Sequence, residues 1–452
     1  MSNGLSSLAS SRFFRGVPDI SAEAAGAFRI GFALALLGLV ALLDFGDARI
    51  KAATLAALLL FAIGLWTRPA SVVAVAGLTF YAIATRRGHD WSMPLLTFWC
   101  LLPARWADAW SVDAALRQWR QVPSRELRGR AYGFAIWLPG LTLGSALAAA
   151  AVAKLSRSGF EWVTTGAVRY HFVEDSADAP VDWGLWIASH DTIPVLLSAG
   201  ALAAEAAFIL VIFFAGARAR AMFGVVGLLL FGGFYLFQGV LWLPWWIVLT
   251  AFLPWGLIGR GQALERPVSR PLRFAHAFVV LVVLVQQAIA SAWHIEIEPF
   301  ISPYPMYSNT YRSPADFNDR EQGAFRYQRY YFEIDTPRGT LDVTDRIRAL
   351  DDAERALHQV IADSKGCPRR LEGDVNRRMT AVRTAYRARY GTPLDAVRVI
   401  HDRRIFDWER GEFYWAVRRE RQGVVDLSPP TFIPASAAAA HCTSAADASG
   451  SY

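Results

Sequence analysis

Nine apolar runs fill the first 293 residues, at 24–44, 52–66, 70–85, 91–107, 132–156, 192–214, 221–240, 241–259 and 273–293. Each is near or above the roughly 17–25 residues that carry a helix across a bilayer. Runs 52–66 and 91–107 are the short ones, so the pattern predicts eight or nine transmembrane helices. "LPWW" around Pro244 parts the seventh and eighth with almost no loop, which predicts a tight helical hairpin. The expected fold class is mainly α, a polytopic helical membrane bundle, and a second part is required by composition. At 54% apolar and 19% charged residues the chain is too apolar for an ordinary soluble protein and too charged to lie wholly in lipid.

That second part begins after Ala292, where "WHIEIEPFISPYPMYSNTYRSP" brings prolines and tyrosines suited to a membrane surface. "RYQRYYFEID", "TPRG" and "TLDVTD" then read as strand, turn and strand. Helices are expected at 349–364 and 372–390, and strands at 396–401 and 412–418. The expected organisation is an N-terminal cytoplasmic tail (1–23), a transmembrane domain (24–293), a small α+β extracytoplasmic domain (294–428) and a disordered tail (429–452). The tail is poor in bulky apolar residues.

Orientation follows from charge. Arginines cluster at 117–130, 216–220 and 260–273, and these loops alternate correctly if the N-terminus is cytoplasmic. The loop at 157–182 then lies outside and is mainly acidic. Arg86 and Arg87 fall on the wrong side of this scheme. The first apolar run lacks a small-residue cleavage site after its core and reads as a retained helix. A net charge of +7 is accounted for by positive-inside loops and lipid headgroups, so no nucleic-acid partner is expected. The expected location is a bacterial inner membrane. If the second domain is outside, Cys367 and Cys442 are free to form a disulfide. No Cys or His spacing suggests a metal, and His441 beside Cys442 is too thin a set of ligands.

One choice of residue stands out against this background. Of 46 basic side chains only Lys51, Lys154 and Lys365 are lysines, and Lys154 sits at the end of an apolar run in "SALAAAAVAKLSRSGFEW". Arginine keeps its proton, whereas a lysine deprived of water can give it up and become a base. The competing explanation is an anchor, its stem along lipid and its ammonium at the headgroups. Glu205 lies well inside another run, where a charged carboxylate costs about 2.5–3.5 kcal/mol on insertion scales, so it must be paired, neutral or wet. Lys154, His89 and an arginine are all open as partners. His89, in "RRGHDWSM", is placed on the same outer side as Lys154 and is of the type that relays protons. Gln238 reads as interhelical glue. Ser111 and Asp113 in "WSVD" read as caps of an amphipathic helix.

"AGAFRIGFALALL" (25–37), "HDWSMPLLTFWCLLPARWADAWSVDAAL" (89–116) and "AAVAKLSRSGFEWVTTGAVRYHFV" (150–173) together resemble the membrane domain of vitamin K-dependent gamma-carboxylases and their bacterial relatives, the HTTM domain. The resemblance covers roughly residues 20–260. It implies that Lys154 is the base that deprotonates reduced vitamin K, or menaquinol in a bacterium, and that His89 is an acid or proton relay. It also implies a lyase-type chemistry in which oxygenation of the quinone drives removal of a glutamate γ-proton and capture of carbon dioxide. Such chemistry favours a dry site. Two family features have no counterpart: a second histidine on a late membrane helix, near Gly233, and the large lumenal portion that grips a propeptide. Two functions are therefore expected as rivals. One is a quinone-dependent membrane enzyme with Lys154, His89 and Glu205 at its site. The other is a non-enzymatic membrane protein assisting maturation or export of a secreted peptide or protein.

Overall fold

The computed structural model describes residues 16–121, 129–258, 270–321 and 328–435, with short breaks at 294, 298, 300, 303, 305–306, 338, 351–352, 365–368, 371–373 and 428–429. The chain divides into two compact units, Met1–Thr310 and Tyr311–Tyr452. The boundary thus falls near the end of the proline- and tyrosine-rich segment and not at residue 294. Cys367, Cys442 and His441 lie outside the described residues.

The first unit is helical throughout. Its helices are α1 (Ala22–Leu42), α2 (Ala48–Ile63), α3 (Thr67–Ala84), α4 (Gly88–Leu101), α5 (Val112–Trp119), α6 (Arg130–Ser158), α7 (Glu161–Thr164), α8 (Val168–Glu174), α9 (Trp183–Ala188), α10 (Thr192–Phe208), α11 (Ala217–Gln238), α12 (Leu243–Leu249) and α13 (Arg270–Trp293). Six helices among the described residues are long and apolar enough to cross a membrane: α1, α3, α6, α10 with its 3-10 extension to Phe213, α11 and α13. The protein is an integral, multi-pass membrane protein. All of the expected runs but the eighth fall mainly on a helix, and three make weaker spans. At 1.5 Å per residue, the 16 residues of α2 and 14 of α4 reach about 24 and 21 Å against a hydrocarbon core of about 30 Å. The eighth run breaks after α12 into two 3-10 turns.

Helix α6 is the central pillar: 89% of its apolar window is buried, against 28% for α11 and for α13. Those two outer helices leave Met222, Leu229, Phe274 and Leu281 exposed, the face a membrane helix offers to lipid. Pro139, which lacks the N–H of a continuous helix, lies inside the pillar. Arg220 of α11 reaches in there, its Nη2 donating to the Ile136 carbonyl and its guanidinium lying 5.4 Å from the Phe252 ring centroid. Arg29 of α1 is also fully buried. It donates to the carbonyls of Trp106 at 2.7 Å, Trp110 at 2.5 Å and Ala62 at 3.4 Å, tying together the ends of three segments. Lys51 does similar work at the end of α1, donating to Ala41 and Leu43.

The "WSVD" stretch completes that knot. Ser111 caps α5, accepting from the Ala114 N–H at 2.9 Å. Asp113 caps a different helix: its carboxylate accepts from the Trp66 and Thr67 N–H groups and the Thr67 hydroxyl at the start of α3. Partial burial opposes the charge on Asp113, but these bonds from Thr67 and Trp66, with Arg117 nearby, outweigh it and hold the carboxyl below its usual range. Gly64, which ends α2 with φ at 72°, closes the knot, since a Cβ there would lie 2.3 Å from the Ser111 Cβ.

The second unit is α+β. An antiparallel six-stranded sheet runs β2 (Gly339–Asp342), β1 (Gln328–Thr336), β4 (Ala396–Asp407), β5 (Glu412–Leu427), β6 (Pro430–Pro434) and β3 (Arg369–Arg370). Helix α14 (Pro314–Glu321) precedes β1. Helices α15 (Thr344–Arg348), α16 (Ala353–Ser364) and α17 (Asp374–Tyr390) complete the unit. Tyr330, Phe332 and Ile334 point to one face at the two-residue period of a strand. They share a core with Val399 and Val425 of the sheet, Leu357 and Val360 of α16, and Met379 and Tyr386 of α17. The hairpin and both long helices match the sequence pattern. Strand β6 corrects the tail, because residues 430–434 pair with β5 from Leu427↔Pro430 to Gly423↔Pro434 and so extend the domain past residue 428.

His358 of α16 lies in that core, its ring 4.2 Å from that of Tyr330. Burial, aided by Arg348, pushes its pKa down to about 3. The unfolded chain then takes a proton near pH 6.5 that the folded unit refuses. Stability therefore falls as pH drops from about 6.5 toward 3, by up to about 1.4 kcal/mol per pH unit. Hydrogen-exchange protection of α16 is expected to weaken between pH 7 and 5 in the wild type and to hold flatter in His358→Phe.

Candidate functional site

Lys154 projects from the last turns of α6 and meets Glu205 near the end of α10. The ammonium lies 3.0 Å from Oε1, in hydrogen-bond geometry, and 2.9 Å from Oε2. Both side chains are only 2% exposed. The helices reach each other here because α10 runs antiparallel to the pillar, and Gly144 lets Ile209 approach so closely that a Cβ would sit 2.8 Å from its Cα. Of the three candidate partners for Glu205, Lys154 is the one it meets.

The roof of the pair is the segment expected as an acidic loop, and the structure folds part of it into α7 and α8, with α9 following it. Trp162 of α7 is fully buried, with the Lys154 ammonium 5.3 Å from its ring centroid, within reach of a cation–π attraction. Gly166 allows the chain to turn from α7 into α8: its φ is 63°, and a Cβ would lie 2.8 Å from the Pro194 Cβ at the start of α10. Ser198 of α10 accepts from the Val168 N–H and so pins α8 to the helix that carries Glu205. Arg169 turns away and donates to the Ala188 carbonyl at the end of α9.

A short stretch, Tyr307–Thr310, is fastened along this roof. The Trp162 indole donates to the Tyr307 carbonyl at 2.8 Å. Arg157 donates to the Ser308 hydroxyl at 2.9 Å, and Ser158 donates to the Ser308 carbonyl at 2.8 Å. His171 of α8 faces the Asn309 carbonyl through Nε2 at 3.1 Å and Glu174 through Nδ1 at 3.2 Å. The hydroxyls of Thr165 and Thr310 are 2.9 Å apart.

His89 is held elsewhere. Its Nδ1 is 3.3 Å from Glu296 Oε1, its side chain is 36% exposed, and its ring lies 6.5 Å from that of Tyr304. Neither Lys154 nor Glu205 is among its contacts. Gln238 is buried, yet its Oε1 accepts no hydrogen bond among the described residues, so the expected glue is not seen on that atom. Trp162 and His171 were not singled out from the sequence. Both lie in the stretch 150–173 that carries the family resemblance, and that stretch was the available signal. No group of His, Cys, Asp or Glu among the described residues is arranged to hold a metal ion.

In chemical terms the site is an amine and a carboxylate in contact, shielded from water, under an aromatic face. A proton can pass between them over 3.0 Å, which converts an ion pair into a neutral amine and acid without importing charge. No family model matches the chain, and no curated protein or solved structure matches it either.

Proposed function

We propose that the protein is a quinone-dependent membrane enzyme of the carboxylase-like HTTM type, in which Lys154 takes a proton from a reduced lipid quinone and Glu205 tunes and receives it. The observation that carries this reading is the dry Lys154–Glu205 contact at 2% exposure in a chain that writes nearly all of its positive charge as arginine. The residues suit such a group. Lys154 and Glu205 supply the proton acceptor, and the Trp162 ring supplies a flat face. A reduced quinone and oxygen would give quinone epoxide and water, the four electrons that oxygen takes up coming two from the quinol and two from the ring double bond that is epoxidised. The chain's own part is to bind, to keep water out and to hold the proton on Lys154 or Glu205. His89 is given no part in this, since it is engaged by Glu296.

In this reading the weaker helices α2, α4 and α12 also enter the membrane, which restores eight or nine spans. The arginine-rich loops face the cytoplasm with the N-terminus, and the α+β unit lies outside a bacterial inner membrane. The family's peptide carboxylation is not included, because the propeptide-gripping portion has no counterpart here. The second reading, a peptide-handling protein without catalysis, is favoured by the exposed Tyr414, Trp415 and Ile433 on the sheet of the second unit.

Oxygen uptake separates the two. Protein in lipid nanodiscs supplied with menaquinol should consume oxygen above the rate of empty nanodiscs, and should not do so with oxidised menaquinone. Equal uptake with and without protein would favour the peptide-handling reading.

A further inference from the structure

The contacts of His171 are the least ordinary in the roof. The Asn309 carbonyl is only an acceptor, so Nε2 must carry a hydrogen to bond it. Nδ1 faces a carboxylate oxygen at 3.2 Å. Both contacts are met together only when the His171–Glu174 couple holds an extra proton, as imidazolium with carboxylate or as neutral ring with acid. A neutral ring beside an ionised Glu174 keeps one of the two, and either Asn309 or Glu174 is left facing a lone pair. Histidine is the side chain whose charge most readily changes in the ordinary pH range.

The other charged and titratable groups around it are already committed. Asp175, at the end of α8, accepts from the Tyr307 hydroxyl, and burial together with that carboxylate pushes the phenol's pKa up, so it remains a donor. Arg157 of α6 is on Ser308. Arg169 is on the Ala188 carbonyl, with Asp191 3.6 Å away. Lys154 and Glu205 hold each other beneath Trp162. From α11, Phe237 packs on Phe172 of α8 and brings no charge.

We propose that Tyr307–Thr310 is a pH-operated strap, held shut by the protonated His171–Glu174 couple, that controls how firmly Trp162 covers the Lys154–Glu205 pair. The link is direct. The strap's Tyr307 carbonyl holds the Trp162 indole N–H, and the Trp162 ring covers the Lys154 ammonium. As the proton leaves with rising pH, the Asn309 anchor weakens, the Tyr307 carbonyl moves off the indole, and the roof over the pair loosens. This concerns access to the pair and stands whichever chemistry the pair performs.

The test is the indole N–H resonance of Trp162 in full-length protein labelled with nitrogen-15 tryptophan, assigned by its absence in Trp162→Phe and followed from pH 5 to 9. In the wild type it should move upfield and exchange faster with water as pH rises, in a single titration step. In Glu174→Gln it should stay fixed, because a side-chain amide can donate to a neutral Nδ1 while Nε2 keeps Asn309. In His171→Gln the step should vanish. A wild-type resonance that does not move, or a Glu174→Gln resonance that moves as the wild type does, overturns the strap. These two readings stand even if His171→Gln fails to fold.

Discussion

Glu205→Ala is expected to lower stability by about 3–5 kcal/mol, because it strands the Lys154 ammonium without its carboxylate in a site that is 2% exposed. The charge of a buried pair is costly to make and far costlier to half remove. Neutralising both partners is different: Lys154→Met with Glu205→Leu fills similar volume with apolar groups and should unfold close to the wild-type midpoint. Unfolding in mixed micelles titrated with SDS measures all four members of this double-mutant cycle. A coupling of less than about 1 kcal/mol between the two positions would mean that the pair is not the tight contact described.

Lys154→Arg should separate structure from chemistry. Arginine keeps the charge, can pair with both carboxylate oxygens of Glu205, and stays attracted to the Trp162 ring. Unfolding should therefore change little. What arginine cannot do is surrender its proton, and a positioned general base contributes on the order of 10²–10⁴-fold. Quinol-dependent oxygen uptake by Lys154→Arg should fall by that factor while the protein remains folded.

Much of the membrane unit was legible because lipid imposes a simple rule on sequence, and all of the nine apolar runs but the eighth lie mainly on a helix. Length within the fold was harder to read. Helix α4 stops at Leu101, just before Pro103, and the eighth run breaks into 3-10 turns, so local backbone breaks shortened what composition alone made continuous. The roof was missed for the opposite reason. The segment from 157 to 190 is polar and punctuated by glycine, and its helices are four to seven residues long, too short to show a helical period. In the second unit, strand β6 was hidden because Pro430 and Pro434 bound it, and proline argues against a strand.

The site was half legible. Lysine at 154 and glutamate at 205 were conspicuous as residue types in apolar surroundings, but their meeting depends on the antiparallel register of α10 on α6, which no local pattern encodes. His89 stood out in the sequence and His171 did not; in the fold His89 is a partly exposed partner of Glu296, while His171 is buried with both nitrogens engaged. "WSVD", among the most specific parts of the resemblance, holds a structural knot, with Ser111 and Asp113 capping two different helices.

The most direct test of the Lys154–Glu205 pair as a catalytic centre is the mass of the quinone recovered after protein in nanodiscs is incubated with menaquinol and oxygen, wild type beside Lys154→Arg. Quinone epoxide from the wild type and little or none from a folded Lys154→Arg is the expected result. Equal epoxide from both would contradict Lys154 as the base, and none from either would leave the pair as a structural contact in a protein that handles something other than a quinone.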